Sequence, residues 1–372
     1  MAACIRQAIE DAGGSISFAE FMQWVLYAPG LGYYNAGAAK FGAGGDFVTA
    51  PEVSPLFGRV LARQCASVLQ QFPVPQVLEL GAGSGALAVQ MLRALSDFGL
   101  EPARYAILEV SPDLKERQER LIRGELPALR TRVEWSAELP EHFDGVVVAN
   151  EVADALPVER FQKDGNRVLQ MRVTTERNRF AWCREKAPEF LEAAVRRIEE
   201  TLGAALPDGY TSEVSTALPH WIHDIAARVG TGFVFLFDYG LPRREYYAPD
   251  RDDGWLRCHF RQCAHNNPLV YPGIQDLTAW VDFTAVAEAA SAAGMNVAGF
   301  VTQAQFLMSG GLQEELVDMA KLPTVAQLEL SRQVKLLTLP GEMGEHFKCL
   351  GLCRGQLAIP ASFTFMDRAH TL

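Results

Sequence analysis

Gln76-Val77-Leu78-Glu79-Leu80-Gly81-Ala82-Gly83-Ser84-Gly85-Ala86-Leu87-Ala88 reads as an apolar strand that runs into a glycine turn and straight into a helix. Gly81, Gly83 and Gly85 remove the side chains that would keep the backbone from turning tightly and touching a ligand, and the helix start offers unpaired N–H groups. In an α/β protein such a strand–turn–helix unit holds a nucleoside cofactor. The glycines alone leave the cofactor open, because Gly81-x-Gly83-x-x-Ala86 also satisfies the looser dinucleotide fingerprint. Glu79, at the carboxyl end of the strand, could orient a cationic amino-acid moiety such as the methionyl end of S-adenosylmethionine, whereas a pyrophosphate is disfavoured beside an acid. A second strand, Arg104 to Val110, places Glu109 to accept hydrogen bonds from the ribose hydroxyls of either cofactor.

Outward from this unit, buried-strand candidates at 76–80, 104–109, 131–135, 144–149, 232–238, 297–302 and 347–353 alternate mostly with helical patterns. That pattern predicts an α/β fold with a doubly wound, seven-stranded sheet. Residues 1–72 read as an N-terminal helical cap with a lid loop, with Ser17 and Ser54 capping helices that start at Phe18 and Pro55. Residues 73–372 read as the catalytic domain, with insertions at about 155–225 and 241–282. In the first insertion Val168–Thr174 and Arg179–Arg184 suggest a hairpin and Pro188–Leu202 a helix, while the second reads as mostly irregular.

The chain has 372 residues, 34 basic against 45 acidic, net −11, with no basic run or basic-aromatic stripe. This argues against a general nucleic-acid or membrane-surface binder. Seven scattered cysteines without a CxxC pair suit reduced thiols, no apolar stretch approaches the ~20 residues that cross a bilayer, and the start resembles no presequence. The expectation is a cytoplasmic protein. Cys258, His259, Cys263 and His265 match no strong zinc spacing, so no metal is expected.

Ligands of open α/β sheets lie outside the carboxyl ends of the strands. The fourth strand delivers Asn150-Glu151-Val152-Ala153-Asp154-Ala155-Leu156-Pro157-Val158 to that edge. Glu151 could hold a nucleophilic nitrogen, with Asp154 as a second anionic contact. Asp238, ending the fifth strand, could line the substrate pocket, and Glu213 and His259 are further candidates within the insertions. The loop Gly44-Gly45-Asp46-Phe47-Val48-Thr49-Ala50-Pro51-Glu52 combines flexible glycines with hydrogen-bonding side chains, as a lid over a small ligand would.

Taken together, these stretches resemble the MidA-like family of S-adenosylmethionine-dependent methyltransferases, which includes a mitochondrial complex I assembly enzyme that methylates an arginine. The resemblance is carried by Leu31-Gly32-Tyr33-Tyr34, Gly45-Asp46-Phe47-x-Thr49-x-Pro51-Glu52, the glycine turn with Glu79, Glu109-Val110-Ser111 and Asn150-Glu151-x-x-Asp154. It continues through Asp238-Tyr239-Gly240, Asp276-Leu277-Thr278-Ala279-x-Val281-Asp282-Phe283 and Met343-Gly344-x-x-Phe347-Lys348. It implies a class I methyltransferase (Rossmann-like) sheet with an antiparallel last strand, S-adenosyl-L-methionine as cofactor and a protein arginine as acceptor. The implied cofactor set is Asp46, Thr49, Glu79, Gly81, Gly83, Gly85, Glu109, Val110 and Asn150, with Glu151 and Asp154 catalytic and Asp282 near the substrate. The human-type member has histidine where this chain has Asn150. Two rival expectations are an NAD-dependent oxidoreductase and a non-catalytic assembly factor built on the same fold.

Overall fold

A computed structural model describes residues 1–35, 48–261 and 263–372. Its centre is a sheet of seven strands: β1 (Gln76–Leu80), β2 (Arg104–Leu108), β3 (Val133–Ser136), β4 (Phe143–Asn150), β5 (Val229–Leu241), β6 (Asn296–Thr302) and β7 (Phe347–Arg354). Their spatial order is β3-β2-β1-β4-β5-β7-β6. The first five neighbours run parallel, and β7 inserts antiparallel between β5 and β6. An eighth, two-residue strand, Val281–Asp282, extends the sheet beside Gly240 and Leu241.

The runs Val146–Ala149 and Phe233–Phe237 are apolar on both faces because both faces are covered. On one side Pro55–Leu69 and Ala86–Asp97 pack on Val77, Tyr105, Val146, Val148 and Phe235. On the other, Ala217–Arg228 and Phe283–Ala292 pack on Leu78, Leu80, Val147, Val234 and Leu236. Ser17 caps Phe18–Tyr27 in a reciprocal capping box with Glu20, and Ser54 caps Pro55–Leu69.

The N-terminal segment is not one cap. Pro55–Leu69 belongs to the core of the central sheet, whereas residues 1–35 pack on the insertions: Ile16–Ser17 pairs with Arg167–Glu176, and Phe18, Phe21 and Val25 share a core with Val173, Leu256 and Leu277. The amphipathic pattern shows that both helices bury a face, but not against what.

The first insertion forms the expected hairpin and helix, Arg167–Glu176, Arg179–Lys186 and Glu189–Leu202, within a five-stranded antiparallel sheet. The second differs from its expected irregularity. It holds a three-stranded sheet of Leu256–Phe260, Cys263–His265 and Asp276–Ala279. Strands this short, set among Pro, Asp and Gly, carry too few residues for a period of two to register.

Candidate functional site

The carboxyl ends of β1, β2, β4 and β5 open into a cavity of ≈ 500 Å³. The glycine turn forms one wall. Gly81, Gly83 and Gly85 sit at φ of +65°, +53° and +86°, left-handed conformations that side-chain-bearing residues disfavour. They carry the chain from β1 into the N-terminus of Ala86–Asp97, with Gly81 and Gly83 at the cavity surface and Gly85 turned toward Gln118 instead.

Glu79 lies beside this turn, 2% exposed, and accepts a 2.6 Å hydrogen bond from the Tyr105 hydroxyl. Burial pushes its carboxyl up to about 7, partly offset by the Tyr105 bond. Glu109, at the end of β2, accepts from the Ser111 amide at 2.9 Å and from Gln118 Nε2 at 2.8 Å. Gln118 also donates to the Gly83 carbonyl at 2.9 Å, so one side chain fixes the glycine turn relative to Glu109. Burial raises the Glu109 carboxyl. Val110 is exposed and lines the same wall, as do Thr49 and Asn150.

The second wall comes from the end of β4. Glu151 adopts φ +54°, an uncommon conformation for a residue with a Cβ, and its amide donates to the Phe237 carbonyl at 2.9 Å. The turn aims its side chain into the cavity, where the carboxylate accepts from Asn150 Nδ2 at 3.2 Å and from the Ala50 amide. Burial, and then the neighbouring Asp154 charge, hold the Glu151 carboxyl well above the usual range. Asp154 sits in the single turn Ala153–Ala155, accepts from the Tyr239 hydroxyl, and is also raised by burial. Tyr239 OH reaches Thr278 Oγ1 at 2.6 Å, tying β5 to the second insertion.

Asp238 does not line the cavity. It is fully buried, and its carboxylate accepts the backbone N–H groups of Ala153 (3.0 Å), Asp154 (3.1 Å) and Tyr239 (3.0 Å). Its role in this geometry is to hold the turn that presents Asp154. Removing it leaves two buried N–H donors and a half-buried one without their acceptor, so Asp238→Ala is expected to cost about 3–5 kcal/mol of stability. Thermal unfolding measures this loss.

Asp282 also lies away from the cavity: it caps Phe283–Ala292 through the Ala285 amide and pairs with Arg243 at 3.0 Å. Glu213 is buried against Arg160 and the Trp255 amide, likewise outside the cavity. His259 does line it, on the strand opposite Asp276. Asp46 lies outside the described residues.

Several further residues, which no local sequence pattern assigns to a site, line the cavity. Tyr27 and Tyr34 come from the N-terminal segment, with rings 5.6 Å apart. Tyr27 donates to the Ala155 carbonyl at 2.8 Å, and Tyr34 reaches Asp276 Oδ1 at 3.3 Å. Asp276, 2% exposed, joins Glu151 and Asp154 as a third acid of this half, and Trp221, Trp280, His346 and Phe347 complete the wall. Tyr34, Tyr239, Asp276 and Phe347 stand inside the motifs quoted above, and that membership is the sequence signal that points to them.

The sequence profile of the S-adenosyl-L-methionine-dependent methyltransferase family matches residues 60–301. A crystal structure from Burkholderia thailandensis bound to S-adenosylhomocysteine superposes with a TM-score of 0.93 at 39% identity, covering 100% of this chain and 96% of that one. The mitochondrial protein arginine methyltransferase NDUFAF7 homolog of Drosophila melanogaster is 29% identical over 93% of this chain and 83% of its own length. Its mouse counterpart is 30% identical, over 91% and 81%. The cofactor is therefore S-adenosylmethionine, and the nicotinamide alternative falls away. Among the described residues no helix is long and apolar enough to cross a membrane.

Proposed function

This chain belongs to the S-adenosyl-L-methionine-dependent methyltransferases, and from that premise we propose that its methyl acceptor is an arginine of a protein. One observation carries the reading. The half of the cavity beyond the glycine turn brings Glu151, Asp154 and Asp276 together under Tyr27, Tyr34 and Tyr239. Burial raises the carboxyls of Glu151 and Asp154, so a cation lodged between them stabilises both in their charged forms. Guanidinium suits this: it keeps its charge when partly desolvated, bonds carboxylates in a planar fork and stacks on phenol rings. Relatives named as protein arginine methyltransferases support the same reading.

The donor set fits the cofactor. Glu79 is a buried carboxylate suited to an amino cation, Glu109 an acceptor suited to vicinal hydroxyls, and the glycine turn a backbone surface that a nucleoside can approach closely. Thr49, Val110 and Asn150 complete our proposed cofactor set, with the Val110 side chain offering an apolar face to the base. When bound, the cofactor supplies a methyl carbon made electrophilic by its sulfonium.

In the proposed mechanism Glu151 and Asp154 hold the guanidinium so that one nitrogen faces that methyl carbon in line with the departing sulfur. An arginine cannot be deprotonated beforehand at neutral pH, so its proton leaves as the N–C bond forms and the C–S bond breaks. Glu151, whose burial raises its proton affinity, receives that proton. Tyr239 donates to Asp154 and so keeps the second carboxylate available as an anion.

The Glu79 assignment makes S-adenosylhomocysteine binding depend on pH. The amino cation prefers the ionised carboxylate, and Glu79 ionises only as pH rises through about 7. Affinity should therefore tighten about tenfold between pH 6 and pH 8, and Glu79→Gln should flatten the profile. Calorimetry at three pH values decides. The stability effect has the opposite sense: for an acid raised in the folded state, stability is highest below its unfolded value and is lost as pH climbs from there to about 7.

The acceptor is tested by labelling a deletion-strain extract with isotopic S-adenosylmethionine and the purified protein, then mapping the product by mass spectrometry. Label on a protein arginine is expected. Label confined to lysine, to oxygen or to a small molecule sinks the reading, as would the absence of any enzyme-dependent label. Complex I subunits belong among the first proteins inspected.

A further inference from the structure

One part of the cavity wall has chemistry that the arginine reading does not use. Arg257 lies on Leu256–Phe260 and faces the cavity half-buried. Its Nη1 donates to the Leu256 carbonyl at 3.0 Å, and its guanidinium carbon stands 6.0 Å from the centre of the Trp280 ring. Among the described residues it forms no ion pair, in contrast to the buried Arg243, which engages both Asp282 and Glu288. His346, at the end of the short helix Met343–His346, meets the same indole edge-on at 5.6 Å and also lines the cavity.

Trp280 is a fixed platform. It stacks on Trp255 at 4.3 Å with 19° between the planes, and Trp255 is anchored by its indole N–H to the Tyr246 carbonyl at 2.8 Å. Two nitrogen-rich side chains are thus held against one indole with hydrogen-bonding capacity directed at the cavity. The Arg257 charge reaches the buried Glu213 carboxylate, which pairs with Arg160, only beyond ion-pair distance. A guanidinium partly withdrawn from water with no carboxylate in hydrogen-bond contact gains most from an anion that can take two of its N–H bonds.

We propose that Arg257, His346 and Trp280 form a carboxylate-reading subsite that selects arginines with an acidic residue nearby in the same polypeptide. This rests on the arginine reading above. The cavity then has two poles: the acids at the end of β4 take the substrate cation, and this subsite takes a neighbouring substrate anion. The subsite is placed for substrate more than for cofactor. Thr278, the strand partner of Arg257, touches Tyr239 on β5, whereas the glycine turn hangs from β1, with β4 between them.

The test uses the full chain and synthetic peptides with a single arginine, in which Glu or Gln is scanned over about four residues on either side, the reach of an extended chain across the cavity. At one position Glu should exceed Gln by about tenfold in kcat/KM, chiefly through KM. Arg257→Gln should bring that ratio to about one, and Arg257→Glu should instead favour Lys at the same position. S-adenosylhomocysteine affinity and melting temperature, measured on each variant, report folding. The proposal is overturned by a ratio near one at every position in the unaltered protein, or by an Arg257→Gln protein that keeps the preference. Weakened S-adenosylhomocysteine binding in folded Arg257→Gln would also overturn it, assigning the guanidinium to the cofactor's own carboxylate. If no arginine peptide is methylated, the arginine reading falls and takes the subsite with it. If peptides are methylated without acidic preference, only the subsite falls.

Discussion

Glu151→Gln is expected to lower kcat by about 10²–10³, some 3–4 kcal/mol of transition-state stabilisation, while S-adenosylhomocysteine affinity stays within about twofold. The amide keeps the size of the side chain and can still hydrogen-bond a guanidinium, but it cannot receive the proton that leaves as the N–C bond forms. The loss should therefore fall on kcat more than on KM, the split that separates a proton acceptor from a residue that only binds. Asp154→Asn should show the reverse balance, because Asp154 already accepts the Tyr239 hydroxyl and contributes mainly a second anionic contact. Single-turnover methylation with calorimetric cofactor binding measures both. Full kcat in a folded Glu151→Gln protein would remove Glu151 from the mechanism.

Gly81→Val is expected to reduce S-adenosylhomocysteine affinity by at least about 100-fold, roughly 3 kcal/mol. Two effects combine. At φ +65° a β-branched residue is strained by about 1–2 kcal/mol, and an added Cβ would stand 3.2 Å from Val152 Cγ2. Relief of either pushes the turn into the space that the cofactor needs, or shifts Val152 and with it the adjoining Glu151. Gly81→Ala, with the same φ but less bulk, should fall between the two. Binding of the valine variant within threefold of the unaltered protein would show that the turn relaxes without cost.

Much of the architecture was legible because it rests on local chemistry. Five- to seven-residue strand candidates, most of them apolar and spaced by helical patterns, predicted all seven strands of the central sheet, and their ends fall within a few residues of the expected ones. Ser17 and Ser54 announced two helix starts through their capping chemistry. The acids were harder. Glu151, Asp154 and Asp238 all stand at strand ends, and by position any of them could face a ligand. Only the fold shows that Asp238 spends its carboxylate on three backbone N–H groups while Glu151 and Asp154 face the cavity. The reason is the path after β4, where Glu151 takes a left-handed conformation that its residue type does not foretell. Asp282 is the companion case: an N-cap and an ion pair with Arg243, 39 residues away, account for it.

The glycine turn, with the acids that end β1 and β2, was determined by the sequence itself. The requirement for positive φ and for a backbone that a ligand can touch is written in the residue type at each position. Tertiary structure alone decided what stands opposite that turn. Tyr27 and Tyr34 from the N-terminal segment meet Asp276 and Trp280 from the second insertion around the end of β4. Residues more than 240 positions apart become neighbours because each segment must bury its apolar face, and the nearest apolar faces belong to one another. No spacing along the chain records that meeting, since burial depends on what the folded surfaces offer and is indifferent to sequence distance.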